Sequence, residues 1–418
     1  MRRGPRARGI LLGAAPLGAV LLLAGIANAA GQGSPARMAG AYSLSARGAE
    51  APSWNPATLA WNDSLHVHVL SVGGFYENNS FDLGDYARWN GGTWDDGAKR
   101  EILSRIPADG LEGHAGARVI LPGVARRGWA VTLESRGAGR GKAPRDLARL
   151  ALFGNTPEES FLLDGSEGLG IAYSELRLTH ARPLLFKEGW EVSGGVSLKY
   201  LQGWAYGEVT RAEGEVVTTF DHLHGAGLFE ERTALGGLGL GLDAGLAARS
   251  LTGWSAGLSV RNLAAAIRWF RDTRLHRQTV EADSLNLDEL EDDADLLVAD
   301  ESSQPIPAFT DVLPAVITAA VSRRFGDVYL EADLSQGVLA GPETSTTPRL
   351  AVGASYPVSR VVHANGGLAV GGLDGPVLAV GSRFALRRLD VLLGIHSAGA
   401  LIPFSGRGLG FELSVGVR

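Results

Sequence analysis

Cysteine is absent from all 418 residues, which excludes disulfides and a lipid-anchored N-terminal cysteine. Beyond residue 30 no run approaches the roughly 18 apolar residues that a membrane helix needs, so spanning helices are excluded there. A basic excess is lacking as well: 39 Lys and Arg face 45 Asp and Glu, a net charge of -6. That balance argues against a nucleic-acid partner. The stretch Glu281–Glu301 has no Lys or Arg at all.

Glycine, in contrast, is abundant. Its 58 copies are scattered without a collagen period, which suits tightly curved β-structure made of short alternating runs. Residues 1–29 read as a signal peptide: Arg2, Arg3, Arg6 and Arg8 precede an apolar run, and Ala27-Asn28-Ala29 is a small-residue cleavage site. Arg2-Arg3 has no supporting twin-arginine context, so a general secretory signal is expected. An exported chain without spanning helices is periplasmic, secreted or an outer-membrane barrel.

The run WEVSGGVSLKY, Trp190 to Tyr200, separates these choices. Trp190, Val192, Val196, Leu198 and Tyr200 alternate strictly with Glu191, Ser193, Ser197 and Lys199. A period of two places the sets on opposite faces of one strand. About 9 to 11 residues suffice to cross a bilayer as a strand, and the terminal Trp and Tyr are spaced for its two interfaces. In a barrel the apolar set faces lipid and the polar set faces the lumen. Lumen positions such as Ser197 are then expected to tolerate charge better than Leu198.

The pattern recurs to the C-terminus, and the connections alternate between long and short. The short ones fall near residues 122–127, 183–188, 251–253, 324–326, 357–361 and 386–388. Short periplasmic turns and long outer loops mark an outer-membrane barrel. Parity places 77–112, 137–167, 205–230, 264–311 and 337–347 outside, with helices near 95–105 and 145–153. Residues 205–230 read as a hairpin beyond the membrane. The fold expected is all-β: a 14-stranded antiparallel transmembrane β-barrel over residues 63–418 with long extracellular loops. Residues 30–62 precede it as a compact N-terminal hatch, and the barrel sits in the outer membrane of a Gram-negative-type bacterium. Glu134, Glu175, Arg177, Glu191, Lys199, Glu331, Asp333 and Glu412 fall on the lumen face.

No catalytic or cofactor chemistry stands out. Gly137–Lys142 departs from a phosphate loop, with Arg136 where Gly is needed and Ala143 after the lysine. The glycine run 236–241 is followed by no nucleotide-binding helix. His66 with His68, and His222 with His224, each lack the third and fourth partners of a metal site, so no metal is expected. A barrel lipase would need a Ser with a His partner, and spacing singles out no such pair, so no enzyme is expected either. Arg136, Arg140, Lys142, Arg145 and Arg149 make a basic outer loop suited to anionic lipopolysaccharide.

The stretch Trp54-Asn55-Pro56-Ala57, preceded by small residues and followed by strands, resembles the FadL-type outer-membrane transporters and the related PorV-like proteins. Leu242-Asp243-Ala244-Gly245-Leu246, followed by Trp254 to Asn262-Leu263, also looks like that superfamily. Leu70-Ser71-Val72-Gly73 with Asn78-Asn79-Ser80-Phe81 is similar to an uncharacterised subfamily. The resemblance implies a 14-strand barrel with an N-terminal hatch that contains Trp54, Asn55, Pro56 and Ala57. It implies passive passage of small hydrophobic compounds with lateral exit through the wall or, as in PorV-like members, a non-transporting scaffold that docks exported proteins. Expected partners are outer-membrane lipid and lipopolysaccharide, a hydrophobic small molecule, and the barrel-assembly machinery. Phe411 would stand in for the terminal aromatic which that machinery reads.

Overall fold

A computed structural model describes residues 37–417, apart from 63, 155–159, 163, 219–221, 287–297 and 402–404. The expected signal peptide, the first residues of the N-terminal segment and the centre of the acidic stretch lie outside the described residues.

The chain closes into one antiparallel ring. It starts with β1 (His66–Asn78) and β2 (Leu111–Ile120), which continues past Leu121-Pro122 as β3 (Gly123–Arg126). Next come β4 (Trp129–Ala143), a short β5 (Ser160–Leu162), β6 (Glu167–Lys187) and β7 (Trp190–Thr218). They are followed by β8 (His222–Ala234), β9 (Gly237–Ser250), β10 (Trp254–Trp269), β11 (Arg274–Asn286) and β12 (Val298–Pro305). β13 (Phe309–Val312) and β14 (Val316–Phe325) form one stave broken at Pro314. The last are β15 (Val328–Gly337), β16 (Arg349–Pro357), β17 (Val362–Gly371), β18 (Val377–Leu386), β19 (Leu389–Ala398) and β20 (Gly408–Val417).

With β2/β3 and β13/β14 each counted once, and β5, β8, β11 and β12 set aside, fourteen staves remain. β20 pairs with both β19 and β1, with Val72 opposite Leu413, and so closes the ring. Closure leaves the wall no open edge. The side chains alternate as the period of two requires. Leu198 is 62% exposed on the outer surface, and Ser197 is fully buried.

The two ends of the ring differ. One carries tight turns, and Arg127-Gly128 and Glu188-Gly189 each place two successive residues at positive φ. That geometry matches the twist of the flanking strands. The other end carries the long connections, including helices α1 (Leu83–Trp89), α2 (Asp96–Arg105) and α3 (Arg145–Phe153). Asp82 and Asp95 cap the first two by accepting from Asp85 and Ala98 N–H. The hairpin expected over 205–230 exists. β7 runs on past the ring and pairs with β8, β8 with β11, and β11 with β12, giving a sheet that stands above the loop end.

One expectation is corrected here. β4 continues through Arg136 and Arg140 to Ala143 rather than ending before a basic loop. Arg136 is therefore a buried wall residue aimed inward, where Glu134 of its own strand, Glu175 of β6 and Glu343 supply carboxylates.

Candidate functional site in the barrel lumen

Residues 37–61 run inside the ring as three 3-10 turns, Met38–Gly40, Gly48–Ser53 and Pro56–Trp61. The segment is rich in Ala, Gly and Ser, so its backbone comes close to the wall. Leu44 and Ala57 pack on Ala247 and Ala320, while Ala49, Ala51 and Leu59 pack on Ala125, Ala130 and Ala181. Inward glycines make the groove that receives it. A Cβ at Gly195 would lie 2.5 Å from the Pro56 carbonyl carbon, and one at Gly245 would collide with Asn55 Oδ1. On the far wall Gly353 and Gly367 receive Met38 in the same way.

Asn55 is the hinge between segment and wall. Its Oδ1 accepts from Ala57 N–H at 3.0 Å, capping the last turn, where Pro56 needs no N–H partner. Its Nδ2 donates to the Leu246 carbonyl at 3.1 Å. Trp54 sits edge-on to Tyr42 with ring centroids 5.3 Å apart, and its carbonyl accepts from Ser259 Oγ at 3.2 Å. Pro56 and Ala57 are buried. All four residues contact protein on several sides.

Charged side chains fill the middle of the lumen in three groups. Glu331 and Asp333 accept the backbone N–H groups of Leu44 at 2.5 Å and Ser43 at 3.1 Å. Arg37 bonds Glu50 at 2.5 Å and Glu412 at 2.7 Å, and Ser414 Oγ donates to Glu50 at 2.9 Å. Burial pushes the Glu50 carboxyl up, but the adjoining Arg37 guanidinium outweighs it and holds the pKa down to about 2. The third group joins Arg118 to Glu134 at 2.7 Å, Arg136 to Glu134 and Glu175, and Arg177 to Glu175. Arg177 also donates to Ser53 Oγ at 2.8 Å, and Lys199 meets Asp243 at 2.7 Å. From the β15–β16 loop, Glu343 folds inward to Arg136 at 3.1 Å.

Of the residues expected to face the lumen, Glu134, Glu175, Arg177, Lys199, Glu331, Asp333 and Glu412 are buried there. Glu191 lies nearer the turn end, only partly buried, and bonds Arg249 at 2.7 Å. Arg37, Glu50, Arg118, Arg136, Asp243 and Glu343 complete the network and were not read from the sequence as lumen residues. An unpaired buried charge costs several kcal/mol, so these partners are required once the others are inside. The lumen is a packed ion-pair core rather than an open charged channel.

Toward the loop end, inward residues of β6, β7 and β10 turn apolar. Ile171, Tyr173, Leu201, Tyr206, Ile267 and Trp269 form one cluster with Leu313. Trp269 lies against inward Gly203 and Gly237, where a Cβ would come within 2.6 and 3.0 Å of its ring. Tyr206 packs on Trp269 and Phe309, with centroids 5.5 and 5.2 Å apart. Just below, β10 bulges: Val260 pairs with Ala244 and Ala264 with Leu242, leaving Arg261, Asn262 and Leu263 opposite Asp243 alone. Asn262 takes φ 53°, a left-handed value that Asn tolerates. Its N–H donates to Asp243 at 2.7 Å, and its Nδ2 donates to the Pro314 carbonyl at 3.2 Å.

At the turn end a polar cavity of about 370 Å³ opens beneath the inserted segment. Arg37, Tyr42, Arg47, Glu50, His66 and His68 line it. His68 Nδ1 is 3.7 Å from Glu50.

A family model, DUF5723, described as a family of unknown function, matches residues 56–418. No curated protein sequence matches the chain. Among solved structures, the toluene transporter TodX of P. putida aligns over 92% of this chain and 97% of its own, at 10% identity and a TM-score of 0.50. The toluene transporter TbuX of Ralstonia pickettii aligns over 93% and 96%, at 12% identity and 0.47. A Pseudomonas aeruginosa FadL homologue aligns over 94% and 97%, at 13% identity and 0.46. The resemblance to FadL-type barrels therefore holds at the level of the fold.

Proposed function

The chain belongs to DUF5723, and from that premise and the architecture above we propose that it passes small hydrophobic compounds across the outer membrane. The loop end faces outward and the turn end faces the periplasm. Outer-membrane lipid and lipopolysaccharide surround the wall, and the barrel-assembly machinery inserts it. Residues 37–61 act as the hatch.

The observation that carries this reading is the apolar, aromatic cluster that packs one side of the loop half of an otherwise charged lumen. An apolar compound entering from outside meets Tyr206, Trp269 and Ile267 first. Below them the ion-pair core stops it, because moving through buried charge has no compensating interaction. The β10 bulge beside the Pro314 break is the sideways exit into lipid. Toluene, the compound in the names of TodX and TbuX, is the first ligand to test.

A second reading has its own observation: the β7–β8–β11–β12 sheet stands clear of the ring and ends in the strand β12. A docking scaffold for exported proteins would use such a surface. Equilibrium binding of radiolabelled toluene and laurate to the detergent-solubilised protein separates the two. Saturable binding, weakened at least about tenfold by Ile267→Asn, supports transport. A folded protein that binds neither probe rejects transport, and co-purification of an exported protein then selects the scaffold.

A further inference from the structure

Glu77, His114 and Asp374, three side chains able to ligate a metal, converge at the loop end, across the ring from the apolar cluster, and His396 adjoins them through Glu77. Glu77 near the end of β1 and His114 on β2 are register partners. Asp374 comes from the β17–β18 connection, and His396 from β19. His114 Nε2 lies 3.0 Å from Glu77 Oε2 and 3.6 Å from Asp374 Oδ1. His396 Nε2 lies 3.9 Å from Glu77 Oε1. In a tetrahedral site with bonds of about 2.0–2.2 Å, ligand atoms stand about 3.3 Å apart, within the spread of these spacings.

The surroundings single this cluster out from an ordinary ion-pair group. His396 is 2% exposed, and neither of its ring nitrogens has a hydrogen-bond partner; Glu77 Oε1, the oxygen nearest to it, lacks one too. Buried polar atoms are rarely left so. The wall is shaped for the convergence: β20, between β19 and β1, carries Gly410 and Gly408 at this level. A Cβ at Gly410 would lie 2.7 Å from His396 Nε2, and one at Gly408 would lie 2.9 Å from Glu77 Cβ. A small cavity of about 30 Å³, room for about one water, adjoins Glu77 and Asp374. Arg349 approaches only the other oxygen of Asp374, at 3.4 Å, which leaves Oδ1 facing His114.

We propose that Glu77, His114, Asp374 and His396 form a binding site for a divalent transition metal of the zinc type. Two imidazoles with two carboxylates suit zinc or its neighbours rather than calcium or magnesium, which take oxygen ligands. The two carboxylates outweigh the single Arg349 charge. Bound there, the ion ties the β17–β18 loop to the seam where β20 closes on β1. This inference does not depend on the transport reading.

The test uses full-length protein without a histidine tag, stripped by a chelator and dialysed. Titrated Co²⁺ should give the visible absorption of a four-coordinate site, saturating at one ion per chain, and Zn²⁺ should displace it. His396→Ala and Asp374→Asn should each weaken Zn²⁺ binding at least about tenfold, while His276→Ala on β11 leaves it unchanged. X-ray absorption at the zinc edge of the unmutated protein, an arm independent of any variant's folding, should show nitrogen and oxygen neighbours at about 2.0–2.1 Å. No saturable uptake by the unmutated protein, or an affinity unchanged from it in both variants, or an all-oxygen shell, would overturn the site.

Discussion

Leu198 and Ser197 are adjacent, yet they meet different environments. Leu198 points to lipid at 62% exposure, so Leu198→Arg should destabilise the barrel by about 2–4 kcal/mol near mid-membrane, as read by urea unfolding in vesicles. The expectation that Ser197 tolerates charge is revised by its surroundings. Ser197 is fully buried and shares a 2.8 Å hydrogen bond with Thr179. Ser197→Arg should therefore overpack the lumen at a cost of about 1–3 kcal/mol and, unlike Leu198→Arg, should open a leak in planar bilayers. Glu50 gives a second residue-scale outcome. Its folded pKa of about 2 lies below the ordinary value of about 4.3, so its bond to Arg37 contributes fully above that ordinary value. The contribution is lost as pH falls toward 2. The share of the seal that Glu50 and Arg37 supply should hold from pH 8 to pH 5 and be lost only in strong acid, read as the difference in conductance between the unmutated protein and Glu50→Gln. Glu50→Gln should already leak at neutral pH.

At the scale of elements, sidedness can be read directly because the chain has no cysteine of its own. An impermeant maleimide added to whole cells should label Gly92→Cys, in the loop that carries α1 and α2, and spare Gly326→Cys in a tight turn. The reverse labelling would invert the topology and leave the ring intact. The strands were legible because one face of each meets lipid, which enforces a period of two, and the loops because their lengths segregate. The helix Arg145–Phe153 was legible as well. Helix α1 was not, since its seven residues are set by the Asp82 cap rather than by an apolar stripe. The extent of β4 was misjudged because Arg136 and Arg140 look like loop residues until Glu134, Glu175 and Glu343 are seen around Arg136. The lumen carboxylates could be placed by parity, but their partners Arg37 and Glu50 lie in a segment without periodicity. The Glu77, His114, Asp374 and His396 cluster had no sequence signal, since Glu77 and His114 come from one end of the chain and Asp374 and His396 from the other, and only ring closure brings the two pairs together.

For the whole molecule, the central claim is that residues 37–61 seal a barrel that would otherwise conduct. Asn55→Ala removes the cap on the last turn and the bond to Leu246, worth about 0.5–2 kcal/mol, and should produce intermittent openings. Deleting residues 37–58 removes the Leu44 and Ser43 N–H groups held by Glu331 and Asp333, together with the Arg37 clasp. It also leaves Glu412 and Arg177 facing water. The most direct measurement is single-channel current in planar bilayers for the full-length protein and this deletion, both shown folded by heat-modifiable migration. The account predicts a nearly silent full-length protein and a large, steady conductance after the deletion. A full-length protein that conducts like an open porin, unchanged by the deletion, would contradict it.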